Sequence, residues 1–131
     1  MILALLTHGE WGEVLLKSTE LITGRIKDVV CFPLAPDQSF KGYLNEIQRF
    51  VNEHMDHEIL FIADVAGGST FNAAGVLSTK NNQQAVCGLS MEMLIQADEL
   101  RQEYSGHEMV RQLIDISKNK IINIRLLVGK G

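Results

Sequence analysis

Three short pieces of this chain carry residue types from which chemistry can be built: Thr7-His8-Gly9, the aspartate Asp64, and Gly67-Gly68-Ser69. A neutral imidazole is a good nucleophile near neutral pH when one ring nitrogen is free and the tautomer is fixed. A carboxylate accepting from Nδ1–H would fix it, leave Nε2 with its lone pair, and stabilise the cation formed on attack, so Asp64 is the natural partner for His8. Glycines ahead of a helix let backbone N–H groups gather round an anion, and the helix dipole adds to the attraction. Plainer roles exist for each. His8 can be a strand-end histidine capping backbone groups, and Ser69 an ordinary helix N-cap. The Gly-Gly pair matches neither the Walker A pattern nor Gly-x-Gly-x-x-Gly, so nucleotide binding has little support. Taken together, the three pieces suit a transient phosphohistidine. The chain offers no lysine placed for β/γ-phosphates and no carboxylate cluster for magnesium, so the phosphate would arrive already activated on a donor protein. No cofactor and no metal are expected.

These residues need a scaffold that brings them together. Ile2 to Leu6 is a continuous apolar run, as in a strand buried on both faces. From Trp11 the pattern becomes helical, with Val14, Leu15, Ser18, Leu21 and Ile22 at spacings of three and four and Gly24 as a C-cap. Val29 to Phe32 is a second short strand, ended by Pro33. Asp37 or Ser39 can cap a helix with Phe40, Tyr43, Leu44, Ile47, Phe50 and Val51 on one face. Ile59 to Ala63 is a third strand running into Asp64, and a helix follows from about Thr70, carrying Phe71, Ala74 and Leu77. Ala85 to Gly88 is a fourth strand. Helices are then expected over Met91 to Tyr104 and Glu108 to Lys118, parted by Ser105-Gly106. Ile121 to Val128 alternates, as in a strand with one wetter face. This order predicts an α/β fold: a doubly wound, mainly parallel sheet with helices on both sides. With strand order 2-1-3-4, the crevice beyond the carboxyl ends lies between strands one and three, where His8 and Asp64 would meet.

Composition narrows the partners. The 131 residues are 46% hydrophobic and 21% charged, which suits one domain over 1–131 with its own core and excludes disorder. A net charge of −4 argues against nucleic acid, which demands a clustered basic surface. Cys31 and Cys87 each sit in an apolar run and read as free thiols in a reducing compartment. No stretch approaches the roughly 18 apolar residues of a membrane span, and Met1 leads straight into the first strand with no signal peptide. A soluble, cytoplasmic domain without membrane insertion is expected.

The opening Leu-Leu-Thr-His-Gly, the segment Phe-Ile-Ala-Asp-Val-Ala-Gly-Gly-Ser-Thr-Phe-Asn-Ala-Ala, and Val-Cys-Gly-Leu-Ser-Met-Glu-Met-Leu-Ile together resemble the enzyme IIA component of the mannose family of the bacterial phosphoenolpyruvate:sugar phosphotransferase system. The resemblance covers almost the whole chain. It implies that His8 accepts a phosphoryl group at Nε2 from the phosphocarrier HPr and passes it to a histidine of enzyme IIB, a membrane permease (IIC and IID) then using it as sugar enters. It implies that Asp64 holds Nδ1 and that Ser69, beside Gly68, contacts the phosphoryl group. Sugar specificity would reside in the permease and IIB. A homodimer is implied, with Ile121–Val128 exchanged as an antiparallel edge strand that shields an open sheet edge. Ending at Gly131 suggests a free-standing component. Two positions depart from the family pattern: Thr70 and Glu92 stand where proline is common at a helix start. Thr70 fits the same turn less rigidly, and an acidic Glu92 suits a helix N-terminus.

Other candidates have bland readings. His54 and His57 read as a solvated helix end rather than a metal pair, and His107 as a surface residue in a turn. Trp11 is a lid, a docking residue or a core residue; Met91 and Met93 are core or groove filler. Glu10 and Glu13 would favour a basic partner surface. Two other functions compete with the phosphocarrier: a regulatory or protein-binding module on the same fold with no chemistry, and a small hydrolase using His8 and Asp64 as an acid/base pair. The hydrolase is weakest, because no serine or cysteine nucleophile lies near His8 in sequence.

Overall fold

Ile2 through Thr7 are all buried, and the strand they form has no wet face. A computed structural model of the chain, describing residues 1–129, extends this strand as β1 (Ile2–His8). β2 (Val29–Leu34) and β3 (Ile59–Ala63) flank it, and β4 (Gln84–Cys87) pairs with β3. All pairings are parallel and the order is β2-β1-β3-β4, as expected. Pro33 lies inside β2 instead of ending it. β2 is an edge strand, where a missing N–H need not break a ladder.

Alternation along β1 divides the core in two. Ile2, Ala4 and Leu6 pack with Tyr43, Ile47 and Val51 of α2 (Phe40–Glu53) and with Ala73, Ala74 and Leu77 of α3 (Gly68–Asn81). Leu3 and Leu5 face the other way, onto Met93, Leu94 and Ala97 of α4 (Met91–Leu100) and Met109, Val110 and Leu113 of α5 (Gly106–Lys118). Each fully buried Leu or Ile contributes about 1.5–3 kcal/mol relative to exposure, so the two layers pin the sheet between them. Helices on both faces make the sheet doubly wound, with the order reversing between β1 and β3. Ser39, not Asp37, caps α2, accepting from the Gly42 N–H at 3.0 Å.

Three expectations are corrected. In α1 (Trp11–Thr23) the apolar spacing does not mark the core face: Val14, Leu21 and Ile22 are exposed. The face turned inward uses Gly12 and Thr19, with Leu15 and Leu16 partly buried. A Cβ at Gly12 would stand 3.0 Å from Thr7 Cγ2, so the small residue is what allows this close approach. Thr19 satisfies its hydroxyl by donating to the Leu15 carbonyl at 2.7 Å. Second, Phe71 is half-exposed on α3, whose inner face is Thr70, Ala73, Ala74, Leu77 and Ser78.

Third, the expected antiparallel strand over Ile121–Val128 is absent: Ile124–Val128 forms a five-residue helix, α6, with none of its residues buried. A strand needs an edge to pair with. Here Asn123 caps the turn instead, its side-chain oxygen accepting from the Leu126 N–H at 3.1 Å, while Leu127 and Gly129 donate to the carbonyls four residues back. Gly131, on which the expectation of a free-standing component rested, lies outside the described residues.

Cys31 on β2 and Cys87 on β4 are free, half-buried and on opposite outer strands. Burial first, and then the charge of Glu13, push the Cys31 thiol up to about 11, so it is a poor nucleophile. Among the described residues no helix is long and apolar enough to cross a membrane.

Candidate active site

β1 ends in His8 and β3 runs out one residue before Asp64, and these two strands are neighbours in the sheet. The pairing continues past β3, since the Asp64 N–H donates to the Leu6 carbonyl at 3.1 Å. That register sets the carboxylate beside the histidine. Asp64 Oδ2 accepts the His8 backbone N–H at 2.7 Å and lies 2.9 Å from His8 Nδ1. Oδ1 accepts the Thr70 hydroxyl at 2.6 Å and the Val65 N–H at 3.0 Å. Gly9, with φ +71°, then turns the chain away and donates to the Leu34 carbonyl at 2.9 Å.

Exposure differs sharply across this contact. The His8 side chain is 50% exposed, the Asp64 side chain 4%. Burial alone pushes the Asp64 carboxyl up. The hydrogen bonds from Thr70 Oγ1, the His8 backbone and His8 Nδ1, with the histidine's charge, outweigh it and bring the group down to about 2. Asp64 is thus an ionised, acceptor-only group at neutral pH. An ionised acceptor facing Nδ1 keeps the ring proton there and leaves the Nε2 lone pair for chemistry.

Gly68 stands against that nitrogen. A Cβ built on it would lie 4.0 Å from both Nε2 and Cε1, and its φ is +84°. The flat glycine surface leaves space beside Nε2 for an incoming group. Ser69 is not the N-cap of α3: Gly67 is, without a side-chain cap, and Ser69 lies within the first turn. Among the described residues no side-chain hydrogen bond holds its hydroxyl. The structure thus brings Asp64 into contact with His8, sets Gly68 beside the ring, and places Ser69 next to Gly68 at the same helix end.

The sequence presents Thr70 only as a looser substitute for proline. It is fully buried and tied to Asp64 by the shortest bond in the cluster. No signal in the sequence separates this contact from a solvated first-turn threonine. Tyr43, in sequence pattern only part of an apolar face, is a second supporting group: its buried hydroxyl donates to the Phe32 carbonyl at 2.5 Å.

The remaining candidates fall elsewhere. His54 caps the C-terminus of α2, half-buried and stacked on Phe50 at 4.0 Å, with Nδ1 2.8 Å from the Phe50 carbonyl; His57 pairs with Asp56 at 2.9 Å. Among the described residues no group of three or more His, Cys, Asp or Glu is placed to hold a metal ion. His107 is exposed on the first turn of α5. Trp11 opens α1 near the His8 turn, 39% exposed, which rules out a plain core role; Met93 is core and Met91 is half-exposed. Glu10 and Glu13 are exposed. The grooves of about 650 and 520 Å³ run along β4 and α5 and are not lined by His8. The histidine stands on an open surface.

Comparison with known proteins bears on the family and the fold. Residues 2–114 match the family model described as PTS system fructose IIA component. The mannose-specific EIIAB component of the phosphotransferase system (PTS) in Escherichia coli is 27% identical over 69% of this chain, which spans 28% of that protein's length. The fructose-specific EIIA component of Bacillus subtilis is 20% identical over 85% of this chain and 77% of its own. Among solved structures, the EIIA component of Streptococcus agalactiae superposes with a TM-score of 0.83 at 27% identity, covering 95% of this chain and 98% of that one. The mannose/sorbose-specific IIA subunit of Enterococcus faecalis does so with 0.85 at 24%, covering 93% and 92%. The fold, the strand order and a family match over nearly the whole described chain lead to one assignment: this protein belongs to the fructose/mannose-type IIA components of the sugar phosphotransferase system.

Proposed function

We propose that the chain carries a phosphoryl group on His8 Nε2, taking it from the phosphorylated histidine of HPr and passing it to enzyme IIB, for use by the IIC/IID permease. The observation that carries this reading is the pairing of a buried carboxylate on Nδ1 with a half-exposed ring whose Nε2 borders a bare glycine. In the first step the Nε2 lone pair attacks phosphorus. The new N–P bond forms as the donor's N–P bond breaks, and that electron pair returns to the donor imidazole. The His8 ring keeps its Nδ1 proton and becomes more positive, and Asp64 stabilises that charge at 2.9 Å. Ser69 and the amides opening α3 receive the phosphoryl oxygens, with the helix dipole adding to the attraction. The second step is the same displacement with IIB as acceptor. The phosphoryl group arrives activated, so neither step calls for a cofactor. Both partners being proteins, an open surface serves better than a cleft, and a cytoplasmic location follows from where the donor acts.

Incubation with phosphoenolpyruvate, enzyme I and HPr tests this. One acid-labile, base-stable phosphate per chain is expected, and none in His8→Ala. Absence of incorporation into the intact protein would instead favour a regulatory module that keeps the fold without the chemistry.

A further inference from the structure

Asp64 has four donors around it, and only one of them is a side chain other than His8 itself. We propose that Thr70 is a positioning residue for the phosphoryl transfer at His8: its hydroxyl clamps Asp64 Oδ1, so that Oδ2 stays aimed at Nδ1 and the ring proton stays on the histidine. The inference rests on the phosphocarrier reading above and concerns the support of the same site.

The clamp has a defined geometry. Thr70 has 0% exposure, and its Oγ1 sits 2.6 Å from Oδ1, within the range of an O–H donating to a charged oxygen. The ionised carboxylate has no proton to give, so the hydroxyl must be the donor. Without it, Oδ1 keeps only the Val65 N–H at 3.0 Å, a bond from the exposed residue that follows Asp64 directly in the chain. That bond does not anchor the carboxylate to the helix. Thr70 does, because it belongs to the first turn of α3, the element that also sets Gly68 beside Nε2. One side chain therefore ties the group that orients the ring to the backbone that borders the reacting nitrogen. A swinging Asp64 would let the ring populate the tautomer with hydrogen on Nε2, which has no lone pair there to attack phosphorus.

Thr70→Val removes the donor at nearly constant shape, and Thr70→Ala removes it without the risk of crowding. Thr70→Ser keeps it. In the unphosphorylated protein the ¹⁵N shifts of the His8 ring report the tautomer directly; single-turnover transfer from phospho-HPr reports the rate. The expected result is an Nδ1–H ring in the wild type and in Thr70→Ser. The Val and Ala variants should show a mixture of tautomers and transfer slowed about five- to tenfold. A wild-type tautomer and rate in folded Thr70→Val and Thr70→Ala would overturn the proposal, as would an equal loss in Thr70→Ser, which would assign the effect to the methyl group's packing. The two readings fail separately: a wild-type protein that takes no phosphate refutes the carrier, while the ring shifts still decide whether Thr70 holds Asp64.

Discussion

Asp64→Asn isolates charge from shape at the one contact on which the proposed chemistry turns. All four partners of the carboxylate donate hydrogen bonds, so an amide, with one acceptor and one donor end, cannot satisfy them all. If the amide oxygen takes the place of Oδ2, it still accepts from the His8 N–H and from Nδ1–H. Its NH₂ then faces the Thr70 hydroxyl, which can rotate to accept, and the Val65 N–H, which cannot. If the amide is turned round, its NH₂ meets the fixed His8 backbone N–H at 2.7 Å, donor against donor. The first orientation wins, because Val65 is exposed and its N–H can turn to water. The ring then keeps its tautomer but loses its negative partner. Hydrogen bonds to charged groups are worth about 1.5–3 kcal/mol net and neutral ones about 0.5–1.5. A loss of about 1–2 kcal/mol in the stabilisation of the charged ring corresponds to transfer slowed ~5- to 30-fold. Rapid-quench measurement of single-turnover transfer from phospho-HPr gives that number. Wild-type kinetics would refute the role of Asp64. A drop nearer ~10⁴-fold would refute the orientation argument, since a loss of that size accompanies a ring forced into the wrong tautomer.

The same carboxylate links folding to pH. Its folded value of about 2 lies below its ordinary 3.8, so its stabilising contribution is fully present above about pH 4 and is lost as pH falls through about 2. It amounts to roughly 2 kcal/mol. Urea titrations between pH 7 and pH 2 should show that loss in the wild type and not in Asp64→Asn. Gly68→Ala introduces a Cβ at φ +84° and 4.0 Å from Nε2, costing about 1–2 kcal/mol in backbone strain and narrowing the approach to the ring. Transfer should slow more than a melting curve shifts, and equal rates in variant and wild type would show that the approach does not pass over Gly68. At the opposite end of the sheet Arg101, its side chain 7% exposed, donates to the Met1, Lys27 and Asp28 carbonyls and to Asp98. Arg101→Ala should destabilise by about 3 kcal/mol in urea unfolding while leaving phosphorylation of the folded protein unchanged.

What was legible in the sequence follows from which signals are local. Buried parallel strands announce themselves as unbroken apolar runs, so β1 and β3 are legible in the sequence, and the switch point between them sets His8 beside Asp64. The ends of Ile121–Val128 carried an alternation that suits a strand, but pairing is a property of the partner edge, and a capping Asn123 supplies a local alternative that the alternation does not encode. On α1 the periodicity pointed outward because its packing face is small and polar: Gly12 and Thr19 carry no hydrophobic signal, yet they set how near the helix comes to β1. Thr70 was hidden for a related reason. Its value lies in a bond to a residue six positions earlier, across a turn whose path depends on two glycines at positive φ, and nothing in its type distinguishes a buried clamp from a solvated first-turn threonine.

The proposed carrier role, handing a phosphoryl group between two proteins, places opposing demands on one side chain. Its nucleophilic nitrogen must be reachable by large partners, which means exposure, while its other nitrogen needs an undiminished negative partner, which means shelter from water. Within 2.9 Å this site passes from a ring half in solvent to a carboxylate almost wholly out of it. The geometry of a parallel sheet resolves the conflict. β1 runs one residue further than the hydrophobic layers require and carries His8 to the rim. β3 stops short, so Asp64 stays beneath the first turn of α3, where Thr70 and two backbone amides can satisfy it without water. A glycine rather than a side chain then borders Nε2. Shortening β1 by one residue would draw position 8 into the buried stretch that ends at Thr7.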